Sequence, residues 1–449
     1  MFQRLLRRIV LAGFWLTTIT CTLAAPVLQE PPMPHELAIV CFDIAKELAE
    51  ADGGALWGIS LDGPILIVDA DSRELVANQA DKEEHLVAVG SVWTGRLPDD
   101  IQPANTSLEW AGVRWTMIMR GAIANSRYER GRLLMHESFH RIQPELGHKT
   151  SMESNTHLDA EAGRTWLRLE MRALAEAMIH QGQQREEAAR EALLFRSLRH
   201  ALVKGVAAAE EVALEANEGL AEYTGLRLSG MPVITQEQRL AVGLERTDAS
   251  PTLTRSFAYV TGPAWAILLD SVCDDWRKST WDDMNMAQMY AAAISYTPVL
   301  DVDQLESAAR TVAIQRYDGE EVFRDEAHRA ARRAARLAEL NAMFAPERAL
   351  RIATGVDFRF SFDPNSAESL GGQRIFYRPL NASDQWGILE APEGAVIDFS
   401  PPMSVTLPVP PGTRPESVSW KLKLEAGYSL NAPEQSPWSL RRERSGDRD

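Results

Sequence analysis

The apolar positions Leu37, Ile39, Val40, Ile44 and Leu48 recur at near-helical spacing, and the pattern stops at Gly53 and Gly54. This predicts a first helix from His35 to Ala51. From Leu56 the rhythm shortens to strand-like runs. LWGISL and PILIVDA flank Asp62-Gly63, a hairpin signal, and HLVAVGSVW and VRWTMIMR follow in the same manner. An antiparallel sheet is therefore expected before residue 125. The middle of the chain is rich in Ala, Leu, Glu and Arg and reads as helix over Glu129–Arg141, Leu158–His180, Glu186–Leu202, Ala207–Leu228 and Ser256–Val272. A further Ala/Arg helix is expected over Glu321–Phe344. Its arginine stripe reads as a solvated face with ion pairs inside the helix. Beyond Thr354, FRFSF, RIFYRPL, WGILEA, AVIDF, SVTLPVP and SVSWKLKLE are short β-like runs broken by Pro, Gly and Asn, which predicts a β-sandwich-like module.

The fold class is thus α+β. The segments expected are an N-terminal helix and sheet over 25–125, a helical region over 126–350, a β-rich domain over 351–435 and a flexible tail over 436–449. A chain of 449 residues is long enough for more than one core, since single cores stop growing near roughly 250 to 300 residues.

Composition and charge narrow the function classes. The chain is 45% apolar and 24% charged, ordinary for a globular protein, and its net charge of −16 disfavours a protein that coats nucleic acid, because phosphate contacts demand excess cation. Residues 1–25 carry Arg4, Arg7 and Arg8, then an apolar run, then small residues at Ala24 and Ala25. This is the order of a secretory signal peptide, expected to be cleaved after Ala24, and it implies an exported protein, periplasmic or secreted, without a stable membrane span afterwards. Cys41 and Cys273 then remain. One disulfide between them and two buried free thiols are both compatible with the sequence.

The chemistry is concentrated in Arg132–Pro144, RLLMHESFHRIQP, where His136, Glu137 and His140 form H-E-x-x-H on an expected helix. Imidazoles four residues apart share one helical face, so both can reach one Zn²⁺ ion while Glu137 stands beside the open coordination position. Such a site needs a third protein ligand. Leu214–Leu226, LEANEGLAEYTGL, offers Glu218 and Glu222 four apart among Leu220, Ala221, Tyr223 and Leu226. Carboxylates in such apolar company need a cationic or metal partner.

Together, H136-E-S-F-H140 and N217-E-G-L-A-E222-Y make the chain resemble the gluzincin metallopeptidases, the group of thermolysin and the aminopeptidase N-like enzymes. The resemblance covers mainly residues 113–272 and implies a zincin-like catalytic domain and cleavage of a peptide or protein substrate. It implies that His136, His140 and Glu218 are zinc ligands, that Glu137 is the general base, that Glu222 orients a ligand histidine, and that Asn217 supports the site. Tyr259, in Y259-V-T-G262, is similar to the family's oxyanion-stabilising tyrosine, although Thr261 stands where the family has lysine. His140 and Glu218 are 78 residues apart (218 − 140), farther than in the family, which implies an inserted helical pair near 158–205. G121-A-I-A-N125 lacks the Met and Glu of the aminopeptidases' amine-binding segment, so an endopeptidase is expected rather than an aminopeptidase. Zincins bind substrate along a strand beside the cleft, and V113-R-W-T-M-I-M-R120 is the candidate, with an interior strand that has no free edge as the equal alternative. The alternative is an inactive zinc-binding envelope protein acting as an interaction module; the intact Glu137 argues against it.

Overall fold

Ala38, Cys41, Ile44, Ala45, Leu48 and Ala49 are buried along one side of α1 (His35–Asp52), as the apolar spacing requires. The computed structural model describes residues 35–148, 155–203, 205–279, 284–297, 301–362, 367–409, 418–431 and 438–442. The signal-like segment 1–24 lies outside the described residues. After α1 come β1 (Ile65–Val68), β2 (Glu74–Ala77), β3 (Val87–Val89), β4 (Val92–Arg96), β5 (Thr106–Trp110) and β6 (Val113–Met119), in one sheet of order β3-β4-β2-β1-β6-β5. Leu66, Val68, Leu75, Trp115 and Met117 are buried together on it.

Two expectations for this region are corrected, and one choice left open by the sequence is decided. The sheet is mixed, because β1 and β6 pair in parallel, Ile65 opposite Thr116, while its other pairs are antiparallel. The strand β6 is interior, between β1 and β5, and β5 is the edge. Finally, Leu56–Leu61 makes no strand, and the first hairpin turns at Asp69–Arg73, where the Asp69 carboxylate accepts the Asp71 and Ser72 amides at 3.2 and 2.9 Å. Asp62-Gly63 has another task. The buried Arg141 guanidinium donates to the Leu61 and Asp62 carbonyls at 2.7 and 3.1 Å, and a Cβ at Gly63 would lie 2.5 Å from it.

The helices that follow are α2 (Arg127–Ile142), α3 (Glu161–Ile179), α4 (Gln183–Leu202), α5 (Ala207–Leu214), α6 (Leu220–Leu228), α7 (Val233–Asp248), α8 (Ala258–Asp270), α9 (Met286–Ala293), α10 (Val302–Arg316) and α11 (Gly319–Met343). The helices α7, α9 and α10 are additional to those read from the sequence. The chain divides into two compact units, one within Met1–Glu153, Ala209–Leu244 and Phe257–Tyr296, the other within Ser154–Ala208, Glu245–Ser256 and Thr297–Asp449. The expected helical region 126–350 is therefore not one body: the inserted pair, α3 and α4, packs with α10 and α11 in the second unit.

Charge is sequestered inside that second unit. Glu170 on α3 is fully buried and pairs with Arg196 and Arg199 on α4 at 2.8 and 2.6 Å, while Arg164 and Arg168 pair with Glu326 on α11 at 3.0 and 2.8 Å. Removing one member of such a group takes a counter-charge away from buried ionised side chains. Glu170→Leu is expected to destabilise the second unit by about 3 to 5 kcal/mol, measured as a lower urea midpoint; an unchanged midpoint would contradict this reading. The arginines of α11 are also corrected. They pair mainly with other elements: Arg329 and Arg333 reach Asp159 at 3.0 and 3.6 Å, and Arg336 reaches Glu368 at 3.3 Å as well as Glu339 in its own helix.

The second unit ends in a two-sheet β structure formed by β7 (Ala349–Ala353), β8 (Arg359–Phe362), β9 (Glu368–Gly371), β10 (Arg374–Tyr377), β11 (Leu380–Asp384), β12 (Gly387–Ala391), β13 (Ala395–Asp398), β14 (Ser404–Pro408) and β15 (Lys421–Leu424). The orders are β7-β14-β13-β10-β9 and β15-β12-β11-β8, and Ile352, Leu380, Leu389, Ile397, Val405 and Leu407 fill the core of this module. The expected flexible tail is partly ordered: β17 (Ser439–Arg442) pairs with β16 (Tyr428–Asn431), and residues 443–449 lie outside the described residues. The molecule is α+β. Cys41 is buried, Cys273 is partly buried, and both are free thiols. No described helix is long and apolar enough to cross a membrane.

Candidate metal centre

The helix α2 buries Leu134, Met135, Phe139 and Ile142 and packs on β5, β6 and α6. Its i, i+4 periodicity sets His136 and His140 side by side with their Nε2 atoms 3.3 Å apart. Glu218 comes from a second element. Between α5 and α6 the chain makes a π-helical turn, Glu215–Gly219, whose extra residue shifts the phase of the helix at Asn217 and Glu218. Two glycines allow this turn to lie against α8: a Cβ on Gly219 would stand 2.8 Å from the Gly262 Cα, and one on Gly262 would stand 2.6 Å from the Gly219 Cα. That crossing brings Tyr259 over the site, its ring stacked on His136 with centroids 5.9 Å apart and planes at 2°. Thr261, at the position where the resembled family has lysine, is fully buried and donates to Glu215 Oε1 at 2.6 Å.

Glu218 Oε2 lies 3.8 Å from His136 Nε2 and 3.6 Å from His140 Nε2. Among the described residues, this His136–His140–Glu218 group can hold a metal ion, since one ligand atom from each lies within 4.8 Å of the others. The other sides of the imidazoles are engaged as well. His136 Nδ1 is 3.1 Å from Glu222 Oε2, which also accepts from Arg132 Nη1 at 2.6 Å. His140 Nδ1 is 2.7 Å from Gln143 Oε1, and Gln143 Nε2 donates to Asn217 Oδ1 at 3.1 Å. Asn217 Nδ2 in turn donates to Glu218 Oε1 at 3.3 Å. A neutral imidazole that donates a hydrogen bond from Nδ1–H carries its lone pair on Nε2, so in that tautomer both rings can offer Nε2 to a cation.

Electrostatics separate the carboxylates. Burial pushes the Glu137 pKa up, and the charges of Glu218 and Glu222 add to this against the opposing pull of the two imidazoles. Burial works in the same direction on Glu218, but the hydrogen bond and charge of His140, the hydroxyl of Tyr259 and the charge of His136 bring it down to about 2. Glu222 is likewise lowered, because its bond to His136 and the charge of Arg132 outweigh burial. Glu137 Oε1 stands 4.0 Å from His136 Nε2, and Glu137 Oε2 is buried with no hydrogen-bond partner among the described residues. An orphaned carboxylate oxygen beside two imidazoles and an ionised carboxylate is a donor set that suits a divalent cation with solvent next to it.

All the residues singled out in the sequence for this chemistry, His136, Glu137, His140, Asn217, Glu218, Glu222 and Tyr259, come together here. Sequence reasoning missed Gln143 and Arg132. Both carried a readable signal, since Arg132 is four residues before His136 on the ligand face of α2 and Gln143, three after His140, caps the same helix. His148 is buried against Trp57 and Phe139 and belongs to no ligand group among the described residues. No family model, curated protein or solved structure matches the chain.

Proposed function

We propose that the first unit is the catalytic part of a zinc-dependent metallopeptidase of the gluzincin type, with a zincin-like arrangement, exported through its signal-like leader and cutting within peptide chains. The observation that carries this reading is the convergence of three ligand atoms beside a buried Glu137 oxygen that has no partner among the described residues. Two imidazoles and one carboxylate are a donor set suited to Zn²⁺, which would be held by His136, His140 and Glu218. A zinc ion bound there supplies Lewis acidity, polarising a carbonyl and making water more acidic.

The chain's own residues do the rest. Glu137 takes a proton from the attacking water at its carboxylate and returns it to the leaving amine nitrogen, a task suited to a carboxyl whose pKa burial has raised. Glu222 holds the His136 ring in place through Nδ1. Tyr259 offers a hydroxyl to the oxygen that becomes negative as the carbonyl is attacked. The substrate strand is β5 rather than β6, because β5 is the sheet edge on the side that carries α2. An extended peptide adds to such an edge through main-chain hydrogen bonds.

The test is metal analysis of the purified protein together with hydrolysis of an internally quenched peptide blocked at both ends. About one zinc per chain and hydrolysis abolished by a chelator and restored by zinc are expected. Absence of bound zinc, or cleavage that persists after zinc removal, overturns the proposal; zinc without cleavage points instead to the inactive interaction module. Tyr259→Phe is expected to lower kcat roughly 100-fold while zinc content stays at the wild-type level, read by steady-state kinetics on protein of measured zinc content.

A further inference from the structure

Glu222 was legible as a partner for one ligand histidine, but the other, His140, has no carboxylate on its Nδ1 side among the described residues. Its partner there is an amide, Gln143 Oε1 at 2.7 Å, and Gln143 is 1% exposed. The same amide donates from Nε2 to Asn217 Oδ1 at 3.1 Å and lies 3.4 Å from the Asn217 carbonyl, and Asn217 Nδ2 reaches Glu218 Oε1 at 3.3 Å. A closed circuit results: His140, Gln143, Asn217, Glu218 and back to His140 through the Glu218 Oε2 contact at 3.6 Å. It crosses from the C-terminal end of α2 to the π-helical turn, the two elements that supply the ligands.

We infer that Gln143 is a positioning residue for the metal, fixing the His140 ring with Nε2 inward and tying that ring to the Glu218 carboxylate through Asn217. The inference rests on the proposed metal centre and deepens it. Its physical basis is the amide's two-sidedness. Gln143 accepts with Oε1 and donates with Nε2, so one side chain orients a ligand on its own helix and a residue of the facing element. A carboxylate could do only the first. The two imidazoles are thus supported differently, His136 by an anion shared with Arg132 and His140 by a neutral relay. Partners of this kind typically contribute about 10- to 100-fold to metal affinity.

The experiment measures zinc affinity of the full chain by competition with a chromophoric chelator, alongside the thermal midpoint of the metal-free proteins. Gln143→Leu is expected to weaken zinc binding about 10- to 100-fold with the metal-free midpoint close to wild type. Gln143→Glu keeps an acceptor for the His140 Nδ1 proton and is expected to recover most of that affinity. Asn217→Ala is expected to weaken binding less than Gln143→Leu, and the double variant Gln143→Leu/Asn217→Ala to be no weaker than Gln143→Leu alone, because one circuit is broken in each case. The Co²⁺-substituted Gln143→Leu protein should also show an altered visible spectrum, which a fold defect remote from the ligands would not produce. Wild-type zinc affinity and an unchanged cobalt spectrum in Gln143→Leu overturn the inference. If Gln143→Leu proves too unstable to purify, failure of Gln143→Glu to bind more tightly than Gln143→Met overturns it equally. Absence of zinc binding by the wild-type chain would refute the underlying metal centre instead, so the two failures are told apart.

Discussion

Glu137→Gln is expected to retain the metal and lose kcat by about 10²- to 10⁴-fold, the range associated with a positioned general base. The substitution changes one oxygen for nitrogen at nearly constant volume, and Glu137 is outside the His136–His140–Glu218 ligand group, so zinc content should match the wild type. What disappears is the proton acceptor at a buried oxygen that nothing else in the described structure occupies. No neighbouring carboxylate can replace it: Glu218 is engaged by His140 and Tyr259, and Glu222 by His136 and Arg132, and both are held ionised by those partners. The measurement is peptide hydrolysis at matched zinc occupancy. Turnover equal to the wild type would remove Glu137 from the mechanism.

Glu218→Ala should behave in the opposite way, losing the metal itself. It deletes one of three ligand atoms and leaves two imidazole nitrogens 3.3 Å apart without the carboxylate that faces both. It also removes the acceptor that Asn217 Nδ2 uses on Glu218, so the relay from Gln143 loses its link to the ligand carboxylate. The loss of zinc affinity should therefore exceed the about 10- to 100-fold expected when only an orienting partner is removed. Glu222→Gln supplies the comparison within the same protein, because it perturbs His136 but spares every ligand atom. The ranking wild type, Glu222→Gln, Glu218→Ala in falling affinity, measured by chelator competition, is the expected result. A Glu218→Ala protein that holds zinc as tightly as the wild type would show that the ion, if bound, sits elsewhere.

Much of this site could be read in one dimension because helical periodicity is local. Four residues separate His136 from His140 and Glu218 from Glu222, and a helix turns such spacings into a shared face whatever the rest of the chain does. The apolar rhythm of α1 and of the C-terminal strands is local in the same sense. Alternation, by contrast, does not by itself fix pairing. LWGISL resembles a strand, but in place of a hairpin its Asp62-Gly63 end makes room for Arg141, a residue 78 positions further on (141 − 63). Register and strand order depend on partners distant in sequence, so β6 could not be recognised as interior, nor its pairing with β1 as parallel, until β1, β5 and β6 were assembled.

The chain's local pattern by itself determined that there are helices carrying H-E-x-x-H and N-E-G-L-A-E-Y, strands before and after them, and residue types fit to hold and use a divalent ion. Only the tertiary structure decided that these two helices meet. It placed a π-helical turn where a uniform helix was expected, joined α2 to that turn through Gln143 and Asn217, and assigned α3 and α4 to the second unit. The reason is one of range: a helical face is set within a few residues by backbone hydrogen bonding, whereas the approach of two faces is set by what packs between them, here the absence of a side chain at Gly219 and Gly262.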